Sequence, residues 1–436
     1  MAMGAAKDRS QTFQVEMVCL DELVEADDRY RRLDELVDWS FVRTAAAPYY
    51  AEGGRPSVDP VVLVKLMLVG ALEGTRSMRE VLRQAKVRLD VRRFLGYGLA
   101  ERLPVHQTLS MALTRRFLDG RLFERLFARS VALCAEHGLL EGTHISVDGF
   151  HVEADAALSS LRASLGPVEP DPEAPAAERP QPAPSPHPAQ LALAPPPARG
   201  ASAPPRRSSN QTARARSDPD AALRHKPGQR PHLVLRGQVG VDPKVRCVVG
   251  CLAERATGFE GDGLGALLDR ARFVVPGLRS VAADQGYAAE RVWRDLDRRR
   301  LRAYIPPPAY MLPAPGAPGL TPSQERALRA RQETKSAEGV WAYARRQADA
   351  EGVIAEAKVH GTLARARSRG LALFNVQLLV EFAAINCKRL ARYAQAQDGQ
   401  AAGARSAPAA GPPSGPTPAG AASRTTATWL LCLSLN

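Results

Sequence analysis

Apolar positions over the first third of the chain recur every three to four residues, which is the spacing of amphipathic helices. The run 61–68 is almost entirely apolar, and Pro60 before it follows an aspartate, a pair typical of a helix start. Ser77, with a glutamate three residues later, fits a capping box. Gly138 comes where a long helix should end. The pattern predicts an all-α segment of roughly four to six helices over residues 21–140.

From residue 141 the period changes to that of strands, in which β-branched and apolar residues alternate with small or polar ones. The runs with this alternation are 143–152, 232–239, 245–251, 278–283 and 301–306. Helical patterns follow several of them, at 263–272, 288–300, 340–358 and 371–393. Strands alternating with helices argue for an α/β fold with a mixed sheet over residues 141–394.

Several stretches show neither period. Residues 158–217 are dominated by Pro, Ala, Ser and Arg, a composition that buries too little apolar surface to offset its ordering entropy. We expect a disordered insertion there, with a proline-rich docking motif as the alternative. Residues 307–338 suggest a mobile connector. Residues 1–20 and 395–436 suggest a disordered lead-in and a disordered tail.

Charge narrows the class of partner. The chain has 59 Lys+Arg against 46 Asp+Glu, a net charge of +13, which favours nucleic acid or an anionic membrane surface. No apolar run approaches the roughly 20 residues of a membrane span, and the N-terminus lacks the apolar core of a signal peptide. We therefore expect no membrane association. The 6 cysteines lack zinc-ligand spacing and are interpreted as free thiols in a reducing cytoplasm.

The polar faces of the N-terminal helices are rich in arginine. Two interpretations stay open, namely contacts with DNA phosphates and ordinary solvated faces of a helical bundle. The residues concerned are Arg79, Arg83, Arg88, Arg92, Arg93, Arg115, Arg116, Arg121 and Arg125.

Three carboxylates lie in settings that suit chemistry. Asp148 is on a mostly apolar strand, where a carboxylate is costly to bury unless it is paired or binds a cation. Asp284 follows a buried strand, and Glu351 lies among small and apolar residues of a helix. The structural alternatives are a salt-bridged Asp148, a capping Asp284 and a solvated pair of Glu351 with Lys358.

Carboxylates in such settings could together serve phosphodiester chemistry. Two divalent cations about 4 Å apart can acidify an attacking hydroxyl and stabilise the leaving oxyanion. Magnesium takes one or two carboxylates per ion, so Asp148, Asp284 and Glu351 could hold two ions if one of them bridges. Arg345, Arg346 and Lys358 are near Glu351 in sequence and could bind the phosphates of the cut strand.

Short motifs occur in an order that resembles bacterial insertion-sequence transposases of the DDE type. These enzymes have a helical N-terminal region and a ribonuclease-H-like catalytic domain. The N-terminal motifs are 54–60 (GRPSVDP), 92–96 (RRFLG) and 103–108 (LPVHQT). The motifs around the carboxylates are 147–150 (VDGF), 154–156 (ADA), 283–287 (ADQGY) and 350–353 (AEGV) with Lys358. The last motifs are 365–371 (RARSRGL) and 386–390 (NCKRL).

The resemblance implies a site and an activity. Asp148, Asp284 and Glu351 would be the catalytic and metal-binding triad, holding two Mg²⁺ ions for which Mn²⁺ can substitute. Double-stranded DNA would be the partner, as terminal inverted repeats and as target, with a homodimer bringing two ends together in the bacterial cytoplasm. The DNA-binding residues would be Arg345, Arg346, Lys358, Arg365, Arg367, Arg369, Lys388 and Arg389.

The chain departs from the family pattern before the glutamate. The family often has a tyrosine and an arginine at fixed offsets, which Ala344 and Gln347 fill here, with Tyr343, Arg345 and Arg346 as near neighbours. Glu356 is a rival third carboxylate, but five residues place it about 140° around the helix from Glu351.

Two other functions stay open. One is a metal-dependent nuclease on the same fold that cleaves DNA without strand transfer. The other is a catalytically dead copy that acts only as a DNA-binding protein.

Overall fold

The computed structural model describes residues 17–51, 53, 57–163, 210, 213–225, 228, 230–314 and 319–406. The described residues up to Ala394 belong to one compact unit, and those from Gln395 onward belong to a second. Most of the predicted lead-in lies outside the described residues.

Seven helices fill the first part of the described chain: α1 (Arg29–Leu36), α2 (Ser40–Ala46), α3 (Pro60–Leu72), α4 (Met78–Val87), α5 (Leu89–Leu95), α6 (His106–Arg115) and α7 (Arg121–Glu136). The helix start at Pro60 is confirmed, because the Asp59 side chain accepts a hydrogen bond from the first turn. Ser77 also caps its helix, but the Glu80 carboxylate pairs with Arg83 instead of returning to the cap. The all-α prediction is confirmed, with more helices than expected.

Eight strands are present in the described residues: β1 (His144–Glu153), β2 (Leu161–Ala163), β3 (Ala213–Ala215), β4 (Ala222–Arg224), β5 (His232–Asp242), β6 (Cys247–Arg255), β7 (Ser280–Ala282) and β8 (Arg302–Tyr304). All except β2 and β3 form a six-stranded mixed sheet. Its main path runs β6-β5-β1-β7-β8, with β4 also paired to β5. The β6-β5-β1 ladders are antiparallel and the β1-β7-β8 ladders are parallel. The predicted mixed α/β sheet is thereby confirmed.

The helices that follow β6 connect the later strands and pack against both the antiparallel and the parallel parts of the sheet. They are α8 (Leu264–Val274), α9 (Glu290–Arg298), α10 (Pro322–Lys335), α11 (Ala337–Arg346), α12 (Gly352–Val359) and α13 (Leu371–Ser406). A π turn, Gln347–Glu351, joins α11 to α12. One cluster of buried apolar side chains extends from the N-terminal helices through the sheet to α13. The helical segment and the sheet segment therefore share a single core.

The prediction of a mobile connector over residues 307–338 is wrong for α10. This helix begins with a capping box between Thr321 and Gln324. The Arg326 guanidinium binds the Asp297 carboxylate of α9 at 2.8 Å. Local composition suggested a loop, whereas a cap and a tertiary ion pair order the helix.

The predicted disordered insertion, 158–217, is ordered at both ends. β2 pairs antiparallel with β3, with Leu161 opposite Ala215. Ala215 is buried, and both residues contact the main core, which supplies the apolar burial that the composition alone lacks. The centre of the insertion lies outside the described residues, apart from Asn210.

The predicted disordered tail, 395–436, is also wrong in its first part, because α13 continues to Ser406. That part is rich in alanine and glutamine, which have high helix propensity. Residues 407–436 lie outside the described part of the chain.

The helix α13 is longer and more apolar than the sequence analysis expected, since its residues Leu371–Gln397 could span a membrane by length and composition. However, 72% of the apolar window is buried inside the protein. Phe382 packs edge-on against Phe150 of β1, and the buried Asn386 side chain hydrogen-bonds the Val248 backbone. These contacts are typical of the core helix of a globular protein.

Candidate active site

The register of two parallel strands brings Asp148 and Asp284 to the same edge of the sheet. β1 pairs with β7 through Ser146 opposite Ala282, and each aspartate lies two residues beyond that pair. The carboxyl ends of parallel strands are where ligands gather in open α/β sheets. Two carboxylates far apart in sequence are neighbours because of this pairing.

Asp148 lies in a strongly perturbed electrostatic environment. Its carboxylate is 14% exposed, and Oδ1 accepts a hydrogen bond from the Gly149 backbone N–H at 2.9 Å. Burial raises the pKa of Asp148 to about 6, Arg346 opposes the shift, and the charges of Asp284 and Glu351 add to it. The three carboxylates therefore form one repelling cluster that a cation would relieve.

Asp284 performs the capping role that the sequence left open. Its Oδ1 accepts a hydrogen bond from the Gly286 backbone N–H at 2.9 Å, at the start of the one-turn helix Gln285–Tyr287. The cap fixes the carboxylate beside Asp148, so capping and site membership are compatible.

Arg346 joins the third carboxylate to the first. Its Nη1 lies 3.2 Å from Asp148 Oδ2, and its Nη2 lies 3.7 Å from Glu351 Oε1. The Arg346 side chain is 10% exposed, whereas that of Glu351 is 47% exposed. The guanidinium also lies over the Tyr343 ring, 5.5 Å from its centroid. The structure thus places Asp148 and Glu351 on either side of one buried cation, with Asp284 near Asp148.

The π turn explains the shifted offsets before Glu351. A π turn holds one residue more than an α turn, so a residue five positions before Glu351 lies on its face. Arg346 is five positions before Glu351, and Tyr343 is three positions before Arg346. The distances in sequence from Tyr343 and from Arg346 to Glu351 are therefore each one residue longer than in the family pattern. The π turn accommodates the extra residue.

The spacing of the acidic side chains does not by itself form a metal-binding cage. Among the described residues, no group of three or more His, Cys, Asp or Glu side chains is close enough to hold one. The cause is local, because the Arg346 guanidinium lies between Asp148 and Glu351. The donor set still fits a hard divalent cation, since carboxylate oxygens are its preferred ligands and the Asp148 environment favours a nearby positive charge.

The rival carboxylate, Glu356, is engaged elsewhere. It binds Lys388 at 2.8 Å and also pairs with Arg389, both on α13. Burial raises the pKa of Glu356, but these two cations more than offset it and lower the pKa to about 2. Lys388 and Arg389, predicted as DNA contacts, therefore already neutralise a buried carboxylate.

The predicted contacts in 365–369 lie along the end of β1. Arg365 and Arg369 are exposed and lie 3.4 and 3.6 Å from the Asp155 carboxylate. Arg367 is half-buried and donates a hydrogen bond to the Thr75 carbonyl oxygen, which lies between α3 and α4. Burial lowers the pKa of Arg367 to about 10. Arg367 thus joins the helical segment to the catalytic segment, while Arg365 and Arg369 remain at the surface.

The two remaining predicted contacts flank Glu351. The Lys358 ammonium lies over the Phe150 ring, 5.6 Å from its centroid. Arg345 donates a hydrogen bond to the Pro243 carbonyl oxygen at 2.7 Å and lies 3.4 Å from Asp349.

A basic cavity of about 670 Å³ is lined by Gly352, the residue after Glu351, and sequence reasoning missed half of the cations in its lining. Its cationic lining comprises Lys244, Arg246, Arg345, Lys388, Arg389 and Arg392, and Glu356 is its carboxylate. Arg246 lies in the β5–β6 turn with a positive φ of 61°, a conformation that costs a non-glycine residue energy. The positive-φ backbone is invisible in the sequence, so no local signal identified Arg246.

The N-terminal arginines divide between the two interpretations. Those in ion pairs with acidic neighbours are Arg83, Arg88, Arg93 and Arg121. Arg92 is buried and binds backbone carbonyl oxygens. The exposed ones include Arg79, Arg115 and Arg125.

Comparison with protein families yields two matches. Residues 18–115 match the family described as "Transposase domain (DUF772)", and residues 319–391 match "Transposase DDE domain". The second match contains Glu351 and Arg346, while Asp148 and Asp284 lie between the two matches. Neither the search of curated proteins nor that of solved structures found a match. The two matches, one on the N-terminal helices and one on the helices around Glu351, support an insertion-sequence transposase of the DDE type.

Proposed function

We propose that this transposase binds the terminal inverted repeats of its element and performs metal-dependent DNA cleavage and strand transfer. Asp148, Asp284 and Glu351 would be its catalytic carboxylates. The observation that carries the proposal is the β1–β7 register, which supports a shared role for the two aspartates next to the helix of Glu351.

The sheet supports a ribonuclease-H-like catalytic domain. The order β6-β5-β1-β7-β8 combines three antiparallel strands with two parallel ones that are reached through helices. This is the arrangement that the resemblance to DDE enzymes leads us to expect. Asp148 would then lie on the central strand, Asp284 on its parallel neighbour and Glu351 on a following helix.

The three carboxylates would hold two Mg²⁺ ions, for which Mn²⁺ can substitute. When bound, the ions would acidify an attacking water or 3′-hydroxyl and stabilise the leaving oxyanion. Arg346 holds Asp148 and Glu351 together by neutralising both. If the Arg346 guanidinium moved away from these carboxylates, its N–H groups would be available to bind a DNA phosphate.

Charge supports DNA as the partner. The net charge is +13, and the basic cavity extends from Gly352 along the β5–β6 turn to α13. A backbone phosphate binds well to such a cluster, because each neutralised phosphate releases counterions. Arg365 and Arg369 are also exposed past the end of β1, where Asp155 partly neutralises them.

Two element ends must be held during one transposition event, which supports a homodimer in the reaction. The cellular DNA of a bacterium lies in the cytoplasm, where we place the activity.

A cleavage assay tests the proposal. Purified full-length protein is incubated with Mg²⁺ or Mn²⁺ and a labelled duplex carrying the repeat that flanks its gene. Asp148→Ala and Glu351→Ala should abolish cutting and retain DNA binding, because phosphate contacts do not need the triad. Glu338→Gln is the matched control, since Glu338 is 67% exposed on α11 and pairs with Arg302. This control should cut like the wild type.

The products separate the remaining functions. Joined products support a transposase, and cut ends without joining indicate a nuclease. Binding without cutting by wild type with either metal indicates a catalytically dead DNA-binding protein. Unimpaired cutting by Asp148→Ala would refute the triad.

A further inference from the structure

A fourth carboxylate lies at the site, and no family motif in the sequence includes it. Glu260 begins the one-turn helix Glu260–Gly263 that precedes α8. Its backbone carbonyl oxygen accepts a hydrogen bond from the Gln238 amide at 2.6 Å, which fixes this turn against β5. The Glu260 side chain is half-buried and therefore turns towards the protein rather than into open solvent.

Two glycines leave room for the Glu260 carboxylate. A Cβ on Gly286 would lie 2.8 Å from Glu260 Oε2 and 3.0 Å from Asp284 Oδ1, so these two oxygens flank one point. A Cβ on Gly149 would lie 3.7 Å from Glu260 Cδ. Gly149 directly follows Asp148, so Glu260 lies against the backbone that carries each aspartate.

The nearby Glu254 shows what a satisfied buried carboxylate looks like in this fold. Glu254 binds Arg236 at 3.2 Å and the Gln238 amide at 2.8 Å. Glu260, by contrast, forms no ion pair within 4 Å among the described residues. The charges of Asp284 and Glu254 repel the Glu260 carboxylate, while Arg236 and Arg224 oppose that repulsion without forming an ion pair with it. A cation shared by Glu260 and Asp284 would relieve the repulsion directly.

An independent observation comes from Tyr287. Its side chain is 0% exposed, and its hydroxyl has no hydrogen-bond partner among the described residues. The hydroxyl lies 3.2 Å from the position of a Cβ on Gly149, on the side where Glu260 lies. Buried hydroxyls are normally satisfied, so this one indicates a polar group that shares the space with Glu260.

We propose that Glu260 is a fourth carboxylate of the divalent-metal site, and that the Tyr287 hydroxyl hydrogen-bonds the ion's oxygen ligands. The proposal rests on the proposed function, because it extends the site of Asp148 and Asp284. Glu260 would bind the ion directly or through a water, and its charge would compensate for the Arg346 guanidinium. Tyr287 is a positioning residue.

Binding of Mn²⁺ to the full-length protein without DNA tests the proposal, since it does not depend on activity. Free Mn²⁺ is followed by electron paramagnetic resonance during titration of wild type, Glu260→Gln, Tyr287→Phe and Asp148→Asn. Asp262→Asn is the matched control, because Asp262 lies in the same turn, is 54% exposed and pairs with Arg291. Loss of Glu260 should weaken Mn²⁺ binding about 10- to 100-fold, Tyr287→Phe should weaken it less, and the control should bind like wild type.

Thermal unfolding supplies a second readout. Without metal, Glu260→Gln should raise the melting temperature, because it removes a charge repelled by Asp284. Saturating Mn²⁺ should raise the melting temperature of Glu260→Gln less than it raises that of the wild type. A purely structural Glu260 would instead lower the melting temperature without metal and leave the Mn²⁺-induced rise intact. Glu260→Asp, which keeps the charge but withdraws the carboxylate, should give intermediate binding and serves if Glu260→Gln does not fold.

The outcomes distinguish the two proposals. If Asp148→Asn weakens Mn²⁺ binding and folded Glu260→Gln does not, the role of Glu260 is refuted and the proposed function stands. If wild type does not bind Mn²⁺, or Asp148→Asn binds it normally, the metal site of the proposed function fails and the role of Glu260 fails with it.

Discussion

Replacement of Asn386 by leucine should loosen the join between α13 and the outer strand β6. The Asn386 side chain is 0% exposed and accepts a hydrogen bond from the Val248 backbone N–H at 2.8 Å. It also donates to the Val248 carbonyl oxygen at 2.8 Å and to Ser130 Oγ of α7 at 3.2 Å. Leucine has a similar size but neither donates nor accepts, so both peptide groups of Val248 would lose these partners.

The magnitude follows from two opposing effects. Each buried polar group left without a partner costs about 1–3 kcal/mol, so Val248 alone loses about 4 kcal/mol. The greater apolar burial of the leucine offsets about 2 kcal/mol of this loss. The free energy of unfolding should therefore fall by about 2 kcal/mol. In a unit of this size, that corresponds to a melting temperature lower by about 2–3 °C.

Asn375→Leu is the matched control, because Asn375 is a half-buried asparagine on the same helix. It should change the free energy of unfolding by no more than about 0.5 kcal/mol. Both variants are compared with wild type by calorimetry and by urea unfolding followed by circular dichroism. If Asn386→Leu melts no lower than Asn375→Leu, the hydrogen bonds to Val248 do not hold α13 in place.

Three further changes give expected outcomes. Burial raises the pKa of Glu381 to about 7, so the folded state keeps this proton to a higher pH than the unfolded state does. The free energy of unfolding should therefore fall as the pH rises from about 4.5 through 7. Glu381→Gln should flatten this fall in melting curves recorded between pH 5 and 8. Gly74 has a φ of +63°, and a Cβ at this position would lie 2.6 Å from the His360 carbonyl oxygen. Gly96 has a φ of +76°, but a Cβ there would meet no atom within 4 Å. Gly74→Ala should therefore lower the urea midpoint of unfolding more than Gly96→Ala does. Burial raises the pKa of Glu356, but its ion pairs with Lys388 and Arg389 more than offset this and lower the pKa to about 2. The stabilisation by these ion pairs is therefore present above about pH 4.5 and is lost as the pH falls towards 2. Glu356→Gln should reduce stability at pH 7 and weaken its dependence on acid, and an unchanged acid dependence would contradict this reasoning.

Local sequence rules were sufficient where the structure depends on neighbours in the chain. The cap before Pro60 and the alternation that predicts β1 each occupy a few consecutive residues. The expectation failed where order comes from distant contacts. α10 is held by Arg326 on Asp297, and β3 by the burial of Ala215 in a core built from other segments.

The candidate site shows the same division. Asp148 and Asp284 were recognisable because each stands at a strand, and the pairing of β1 with β7 then brings them together. The position of Arg346 beside Glu351 was not recognisable, because the family's fixed offset pointed to Gln347 and the π turn adds one residue before Glu351. Glu260 escaped notice because it begins a short turn and approaches the site only through the folding of β5 and β6.

The β2–β3 pair has a consequence for the engineering of this protein. Ala163 lies opposite Ala213, so the chain leaves and re-enters the catalytic unit at adjacent positions. The entropic cost of closing such a loop grows only slowly with its length. A two-residue hairpin or a foreign domain with adjacent termini could therefore be grafted between these strands, and the spacing of Asp148 and Asp284 in the sheet would be preserved.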